Sequence, residues 1–365
     1  MLVGQRELRR PFSNLNHRAP CGSPRNVRRP VRQRHHARVA YPSAAAAPLK
    51  AGERGLADED LAVTGERIIA AWNAFLVVAE RADLTAESRL PGWTGHDVCV
   101  HLGSWPEHRT LDRLRAAARR RKPAGAQPAQ DDPAEPSSDQ DDLNARLVAA
   151  HRNAGRDEVL DALRGARDSV ADFLPTPEAA RLRRRPVTSA LGPLPLLTLV
   201  HAATYELAVH AEDLRPCGGG NPGDELLQAG LGSLVDVTGA LAARQGRTVS
   251  VTARTTTGGW TVRSGTSGGW RTVRREPWPA VLPTDGVVVE GPPATLLDVS
   301  AGRVAVPPLL LRRELRLHDI PGLLELAPIV EAVPGLPGGL ALRAAAGYVG
   351  GAGRLLRRLP RAPWR

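Results

Sequence analysis

The chain has 365 residues, 42% of them hydrophobic, and a formal net charge of +11, so it is long enough for two domains and apolar enough to bury a core. The charge suggests nucleic acid but sits at the ends: residues 1–50 carry +10 and residues 341–365 carry +6, leaving −5 for 51–340. A mildly acidic globular part excludes a basic nucleic-acid groove as its working surface, and the predominance of arginine over lysine, with only Lys50 and Lys122 present, points to coding bias rather than phosphate recognition.

Residues 1–58 read as a disordered basic extension without apolar periodicity. From Leu61 a helix is predicted, because Leu61, Ile68, Ile69, Trp72, Phe75, Leu76 and Val78 recur at three and four. Pro91-Gly92 breaks it. Thr94 starts the next helix with Asp97 three residues on, a variant of the capping box, and the pattern predicts a helix through His101 to about residue 120. Residues 122–142, rich in Pro, Ala, Gln, Asp and Ser, read as a flexible loop. Helical pattern resumes over 143–174, broken near Gly155 and stopped by Pro175 and Pro177. A helix is predicted over 191–214, a linker over 215–223, and another helix over 224–244.

The character then changes. Residues 248–254 alternate with period two, and 260–263, 270–273 and 287–289 are short apolar runs, the first two each preceded by a Gly-Gly pair: strands of an antiparallel sheet. Residues 293–302 read as a helix with a Gly stop, and 309–333 as apolar and partly helical. The fold class is α+β: a helical part over 59–220, a smaller α+β part over 221–335, and a basic tail over 336–365.

Glu206 and His210 stand four apart on the predicted 191–214 helix and share one face, close enough to bind one ion. His101 offers a third ligand. Two imidazoles and one carboxylate with an open fourth position is the catalytic type of zinc set. Spacing alone also fits a surface pair, but the surrounding helix is apolar, and an unpaired buried carboxylate costs several kcal/mol. Asp213, one turn past His210, and Asp97, one turn before His101, stand where they could orient the ring nitrogens. His96 and His108 read as rim or surface histidines, and His201 is rotated off the ligand face. Gly-Thr-Ser-Gly-Gly at 265–269 matches G-x-S-x-G only formally, since no helix follows it. Gly-Gly-Gly at 218–220 reads as linker, and Trp260, Trp270 and Trp278 as sheet and core residues. Cys21, Cys99 and Cys217 make neither a disulfide framework nor a CxxC site, which suits a reducing, cytoplasmic compartment. No apolar run reaches the ~18 residues of a membrane span, and no secretory core opens the chain.

Leu90-Pro-Gly-Trp-Thr-Gly-His-Asp-Val-Cys-Val-His-Leu102, followed about a hundred residues later by Glu206-Leu-Ala-Val-His-Ala-Glu-Asp-Leu214, resembles the mycothiol-dependent maleylpyruvate isomerase family. The segment 289–303, where Gly-Pro leads into a helix ending in Gly-Arg, resembles that family's C-terminal domain. The resemblance covers roughly 61–330. It implies a DinB-like antiparallel four-helix bundle with His101, Glu206 and His210 as metal ligands, and a sterol-carrier-like C-terminal domain. It implies a divalent metal, zinc ahead of nickel, manganese or iron, and mycothiol as a thiol cosubstrate deprotonated at the metal. The implied activity is an isomerase or transferase acting on a small electrophilic or cis-unsaturated substrate, with Arg303 or another arginine of the second domain as a candidate to hold substrate carboxylates. A mycothiol S-transferase of detoxification is an alternative on the same site. A non-catalytic small-ligand-binding protein is another. Neither nucleic acid nor a membrane is an expected partner. The chain departs from the family at His96, at the 122–142 insertion, and at Glu212, where an aromatic is common and substrate choice could change.

Overall fold

The computed structural model describes residues 49–50, 52–120, 138–275 and 286–319, with positions 322, 326, 328 and 329. Most of the expected basic extension, most of the 122–142 loop, Trp278 and the tail from 336 lie outside the described residues.

The end of the expected extension is folded. Residues Gly55–Asp58 form a 3₁₀ turn with Leu56 and Ala57 buried. Glu53 O accepts from Trp270 N at 3.2 Å. Two apolar side chains in an otherwise polar stretch give no periodic signal, so the turn is visible only once its partners are placed.

Helix α1 (Leu61–Arg81) starts at Asp60, whose carboxylate accepts from Ala62 N, and buries Ile68, Ala71, Trp72, Phe75 and Leu76 along one stripe. Helix α2 (Gly95–Leu102) opens with the expected capping box, Thr94 and Asp97 each accepting from the other's backbone. It stops far short of residue 120. Gly103 is extended and closes the helix onto Cys99 and Val100 carbonyls. Trp105 and His108 then form a bridge around Pro106 before α3 (Thr110–Arg119) begins. Helices α4 (Ser138–Ala150) and α5 (Arg156–Phe173) are separated where Gly155 predicted a break. Pro177 starts a short α6 (Pro177–Leu182) capped by Thr176, since a first-turn proline suits a helix start as well as a stop.

The predicted 191–214 helix begins five residues late. Strands β1 (Pro186–Ser189) and β2 (Gly192–Pro195) form an antiparallel hairpin, and the prolines at 193 and 195 delay α7 to Leu196–Asp213. Helix α8 (Asp224–Arg244) lies where the sequence predicted it.

Five strands follow: β3 (Ser250–Arg254), β4 (Gly259–Ser264), β5 (Trp270–Arg275), β6 (Val287–Glu290) and β7 (Arg316–His318). Their order is β5-β4-β3-β6-β7. The sheet is mixed rather than antiparallel, because β3 and β6 run parallel while the other pairs are antiparallel. A parallel pair needs a crossover rather than a tight turn, and the glycine turns between β3, β4 and β5 do not foreshadow one. Helix α9 (Pro293–Ser300) and helix α10 (Val306–Leu311) lie between β6 and β7.

Helix α8 packs against α7 on one side and the sheet on the other. A Cβ on Gly230 would lie 2.5 Å from Ala208 Cβ, and one on Gly232 would lie 2.6 Å from the Trp260 ring, so both contacts need glycine. Helices α1 and α8 are long and apolar enough by composition to span a membrane (mean hydropathy 1.4), but 83% of the α8 window and 44% of the α1 window are buried in the fold. They are core helices whose charged residues interrupt any continuous apolar run.

Candidate metal centre

Helix α7 is flanked by α1 and α8, and its Leu, Ala and Thr positions are consumed by that packing. Glu206 and His210 occupy its remaining face, toward α2. Helix α2 brings up His101 from its last turn. One ligand atom from each of His101, Glu206 and His210 lies within 4.8 Å of the others. The two imidazoles meet edge to face, 5.3 Å between centroids. His210 Nε2 is 3.5 Å from Glu206 Oε2, and the Glu206 side chain is 50% exposed against 8% for His210, so the cluster opens to solvent on the glutamate side.

His210 is fixed from behind. Its Nδ1 bonds Asp213 Oδ2 at 3.0 Å, as the spacing suggested. A carboxylate can only accept, so the proton is on Nδ1 and the Nε2 position faces the cluster. Asp213 is fully buried and receives Arg303 on both oxygens, Nε to Oδ1 at 3.2 Å and Nη2 to Oδ2 at 3.1 Å.

The protonation states follow from these contacts. Burial opposes charge on His210, but its hydrogen bonds to Asp213 and Glu206 push its pKa up to about 9. Burial, then the charge of His210, push His101 down to about 4. Burial disfavours the Glu206 carboxylate, yet the hydrogen bond and charge of His210 hold its pKa below the usual range. These contacts favour a charged His210 and an ionised Glu206 beside a neutral His101. His101 Nδ1 is also buried without a hydrogen bond of normal geometry, although the Asn144 side chain lies near enough to the ring to favour its charged form. A borderline N/N/O donor set within 4.8 Å and an open side fit a divalent metal.

Other predicted residues fall elsewhere. Asp97 does not orient His101: its Oδ2 accepts from Thr94 N at 2.8 Å and Thr94 Oγ1 at 2.9 Å, so the carboxylate is used in the capping box. Glu212 is buried but turned aside, 3.1 Å from Arg215 Nη1 and 3.6 Å from Arg89 Nη1. His96 Nε2 meets Ala154 O at 3.0 Å, and His108 Nε2 meets Arg113 Nη2 at 2.9 Å. His201 is buried, and neither ring nitrogen has a hydrogen-bond partner among the described residues; burial, with Arg67 nearby, pushes its pKa down to about 3, so it packs as a neutral ring. Cys99 and Cys217 are buried free thiols, and burial pushes Cys99 up to about 12. Trp260 and Trp270 are core residues.

Sequence reasoning gave no role to Trp93, whose ring lies edge-on to His101 at 5.8 Å, or to Tyr205, whose hydroxyl meets Ser300 Oγ at 3.1 Å. It also missed Arg89, which bonds Asp298 Oδ2 at 2.9 Å. Trp93 sits inside the Pro-Gly-Trp-Thr motif and Tyr205 beside Glu206, and those positions were the available signals.

Residues 65–215 match the mycothiol maleylpyruvate isomerase N-terminal domain. Among solved structures, the crystal structure of the mycothiol-dependent maleylpyruvate isomerase is 18% identical, with 68% of this chain and 92% of that chain covered and a TM-score of 0.41. A histidine-to-alanine mutant of that isomerase gives 18%, 68%, 92% and 0.40. No curated protein matches the chain.

Proposed function

We propose, from the match of residues 65–215 to the mycothiol maleylpyruvate isomerase N-terminal domain family, that the chain is a metal-dependent enzyme using a low-molecular-weight thiol, mycothiol or a close analogue, to isomerise a small cis-unsaturated or otherwise electrophilic substrate. The observation that carries this reading is the convergence of His101, Glu206 and His210 within 4.8 Å on a face half open to solvent. These three residues would hold the metal. A divalent metal, zinc first, supplies the positive charge that keeps a bound thiol as thiolate at neutral pH.

The chain's own residues set the conditions. Asp213 holds His210 with its proton on Nδ1. Glu206 stays ionised and offers a carboxylate oxygen. Trp93 covers one edge of His101 and limits water on that side. Cys99, a high-pKa thiol buried in α2, is not a nucleophile, and Cys217 is buried with its Sγ against the Ala86 and Glu87 carbonyls. Neither cysteine among the described residues is placed to attack, so in this reading the nucleophilic sulfur is the cosubstrate's and the compartment is the cytoplasm.

The test combines metal analysis of the purified full chain with turnover of a cis-unsaturated dicarboxylic keto acid, with and without mycothiol. One metal per chain and thiol-dependent cis-to-trans conversion are expected. A stable thioether product instead of the trans isomer would favour the S-transferase. Turnover without thiol would overturn the reading in favour of a hydrolytic metal site.

A further inference from the structure

We propose that Arg303 is a positioning residue for the metal centre, acting through Asp213 on His210; the inference rests on the reading of His101, Glu206 and His210 as ligands. Arg303 lies outside the matched segment 65–215, beyond α9, and is 90 residues from Asp213 in sequence. The end of α9 aims it. Gly302 adopts φ +68°, Gly302 N bonds Val299 O at 3.2 Å, and Arg303 N bonds Asp298 O at 2.8 Å. This pair of bonds closes a helix C-terminus on a left-handed residue that favours glycine. The chain reverses at that point, and the Arg303 side chain returns onto α7.

There its Nε and Nη2 meet the two oxygens of Asp213 as a fork, at 3.2 and 3.1 Å. Such a fork fixes the carboxylate in direction as well as in charge. Asp213 Oδ2, held by Nη2, is the oxygen that accepts from His210 Nδ1 at 3.0 Å. Asp213 is fully buried, and an imidazole alone compensates a buried carboxylate poorly. Arg303 thus completes a relay of guanidinium, carboxylate and imidazole that ends at the Nε2 facing the cluster.

Two further links hold α9 in register. Asp298 accepts from Arg89, and Ser300, which donates to Leu297 O at 2.7 Å, accepts from the Tyr205 hydroxyl at 3.1 Å. The alternative role for Arg303, holding a substrate carboxylate, would draw the guanidinium away from Asp213. Its third nitrogen, Nη1, is 3.5 Å from Ala301 O.

The experiment uses the full chain and Zn2+. Metal dissociation constants are measured by competition with a chromophoric chelator, alongside melting of the metal-free protein, for Arg303→Met, Arg303→Lys, Asp213→Asn and the Arg303→Met/Asp213→Asn double variant. Arg303→Met and Asp213→Asn should each weaken zinc roughly tenfold or more, the range for residues that orient a metal-bound imidazole. The double variant should bind like Asp213→Asn alone, because the arginine acts only through the aspartate. Lysine should restore part of the affinity, as a point charge without the fork. If Arg303→Met does not fold, the double variant and Arg303→Lys carry the test, since neither leaves a buried carboxylate without a cation. Wild-type zinc affinity in the arginine variants, with a raised KM for an acidic substrate, would overturn the proposal. So would a double variant weaker than Asp213→Asn by the full Arg303→Met factor. His210→Ala separates the two levels: if it binds zinc as tightly as the parent, the ligand reading fails and this inference with it; if it loses zinc while the arginine variants do not, only this inference fails.

Discussion

Within the His101, Glu206 and His210 cluster His210 has the most at stake, because both its ring nitrogens are engaged, Nδ1 by Asp213 and Nε2 toward Glu206. Replacing it removes a proposed ligand and leaves Asp213 facing an empty space. His210→Ala and His101→Ala are each expected to lose stoichiometric metal, and Glu206→Gln to weaken it, because an amide oxygen is a poorer donor than a carboxylate; elemental analysis after dialysis reads all three. Stoichiometric metal in both histidine variants would show the ion to lie elsewhere. The cysteines should be dispensable for turnover, with one qualification. Cys99 is fully buried in α2, and a serine hydroxyl there would be left without an assured partner, so alanine is the cleaner probe. A Cys21→Ser, Cys99→Ala, Cys217→Ser protein should keep thiol-dependent activity at unchanged metal content. The convergence of His101, Glu206 and His210 was legible because helical spacing places Glu206 and His210 on one face and because His101 lies in a recognisable motif. Arg303 could be named as a candidate, but its engagement with Asp213 was not legible. The two are joined only by the turn at Gly302, and no local pattern in the sequence records a contact across 90 residues.

Helix α2 is only eight residues long, too short to be stable by itself, so its cap and its packing decide where His101 stands. Thr94→Ala removes the acceptor for Asp97 N and should cost ~1 kcal/mol, or about 2–4 °C of melting temperature, with metal affinity falling too if the helix start frays. An unchanged melting curve would show that packing alone sets the helix. The elements that reasoning located well, α8 and the α4–α5 break, have boundaries marked by glycine and an uninterrupted pattern between them. The β1–β2 hairpin was missed because Pro193 and Pro195 lie in an apolar run that continues into α7, and apolar residues alone do not say where the backbone turns. The 3₁₀ turn at Gly55–Asp58 was missed for the opposite reason, too few apolar residues. Its burial makes a definite prediction. A chain beginning at residue 49 should melt like the full protein, whereas one beginning at 59 loses the buried Leu56 and Ala57 and a hydrogen bond to Asp236. Burial of one leucine contributes about 1.5–3 kcal/mol, so a drop of several degrees is expected between the two truncations, and none between residue 49 and the full chain.

At the scale of the molecule, Asp236 on α8 joins elements that the sequence leaves separate. Its Oδ1 accepts from Leu56 N at 3.0 Å, Trp270 Nε1 at 2.9 Å and Thr272 Oγ1 at 2.6 Å, and its Oδ2 faces Thr198 Oγ1 at 3.4 Å. The N-terminal turn, β5 and α7 thus meet at one fully buried carboxyl group. Burial pushes its pKa up to about 6, and the four hydrogen bonds offset only part of that. The sign follows from proton counting. Below the ordinary value near 3.8 the group is protonated in both folded and unfolded chains and contributes no pH dependence. Between 3.8 and about 6 the folded chain holds a proton that the unfolded chain has released, so stability falls as pH rises; above that the loss is complete and constant. A shift of this size corresponds to roughly 3 kcal/mol. Asp236→Asn keeps the oxygen that accepts three of the four hydrogen bonds, and its amide can donate to Thr198 once that hydroxyl turns, while the titration disappears. The difference in melting temperature between Asp236→Asn and the parent, both metal-free, should therefore grow in favour of asparagine from pH 4 to pH 6 and stay level to pH 8. Taking the difference cancels the titration of His101 and His210, which both proteins share. A difference that does not change with pH, or that moves in favour of the parent as pH rises, would mean that Asp236 is ionised throughout and that its hydrogen bonds outweigh its burial.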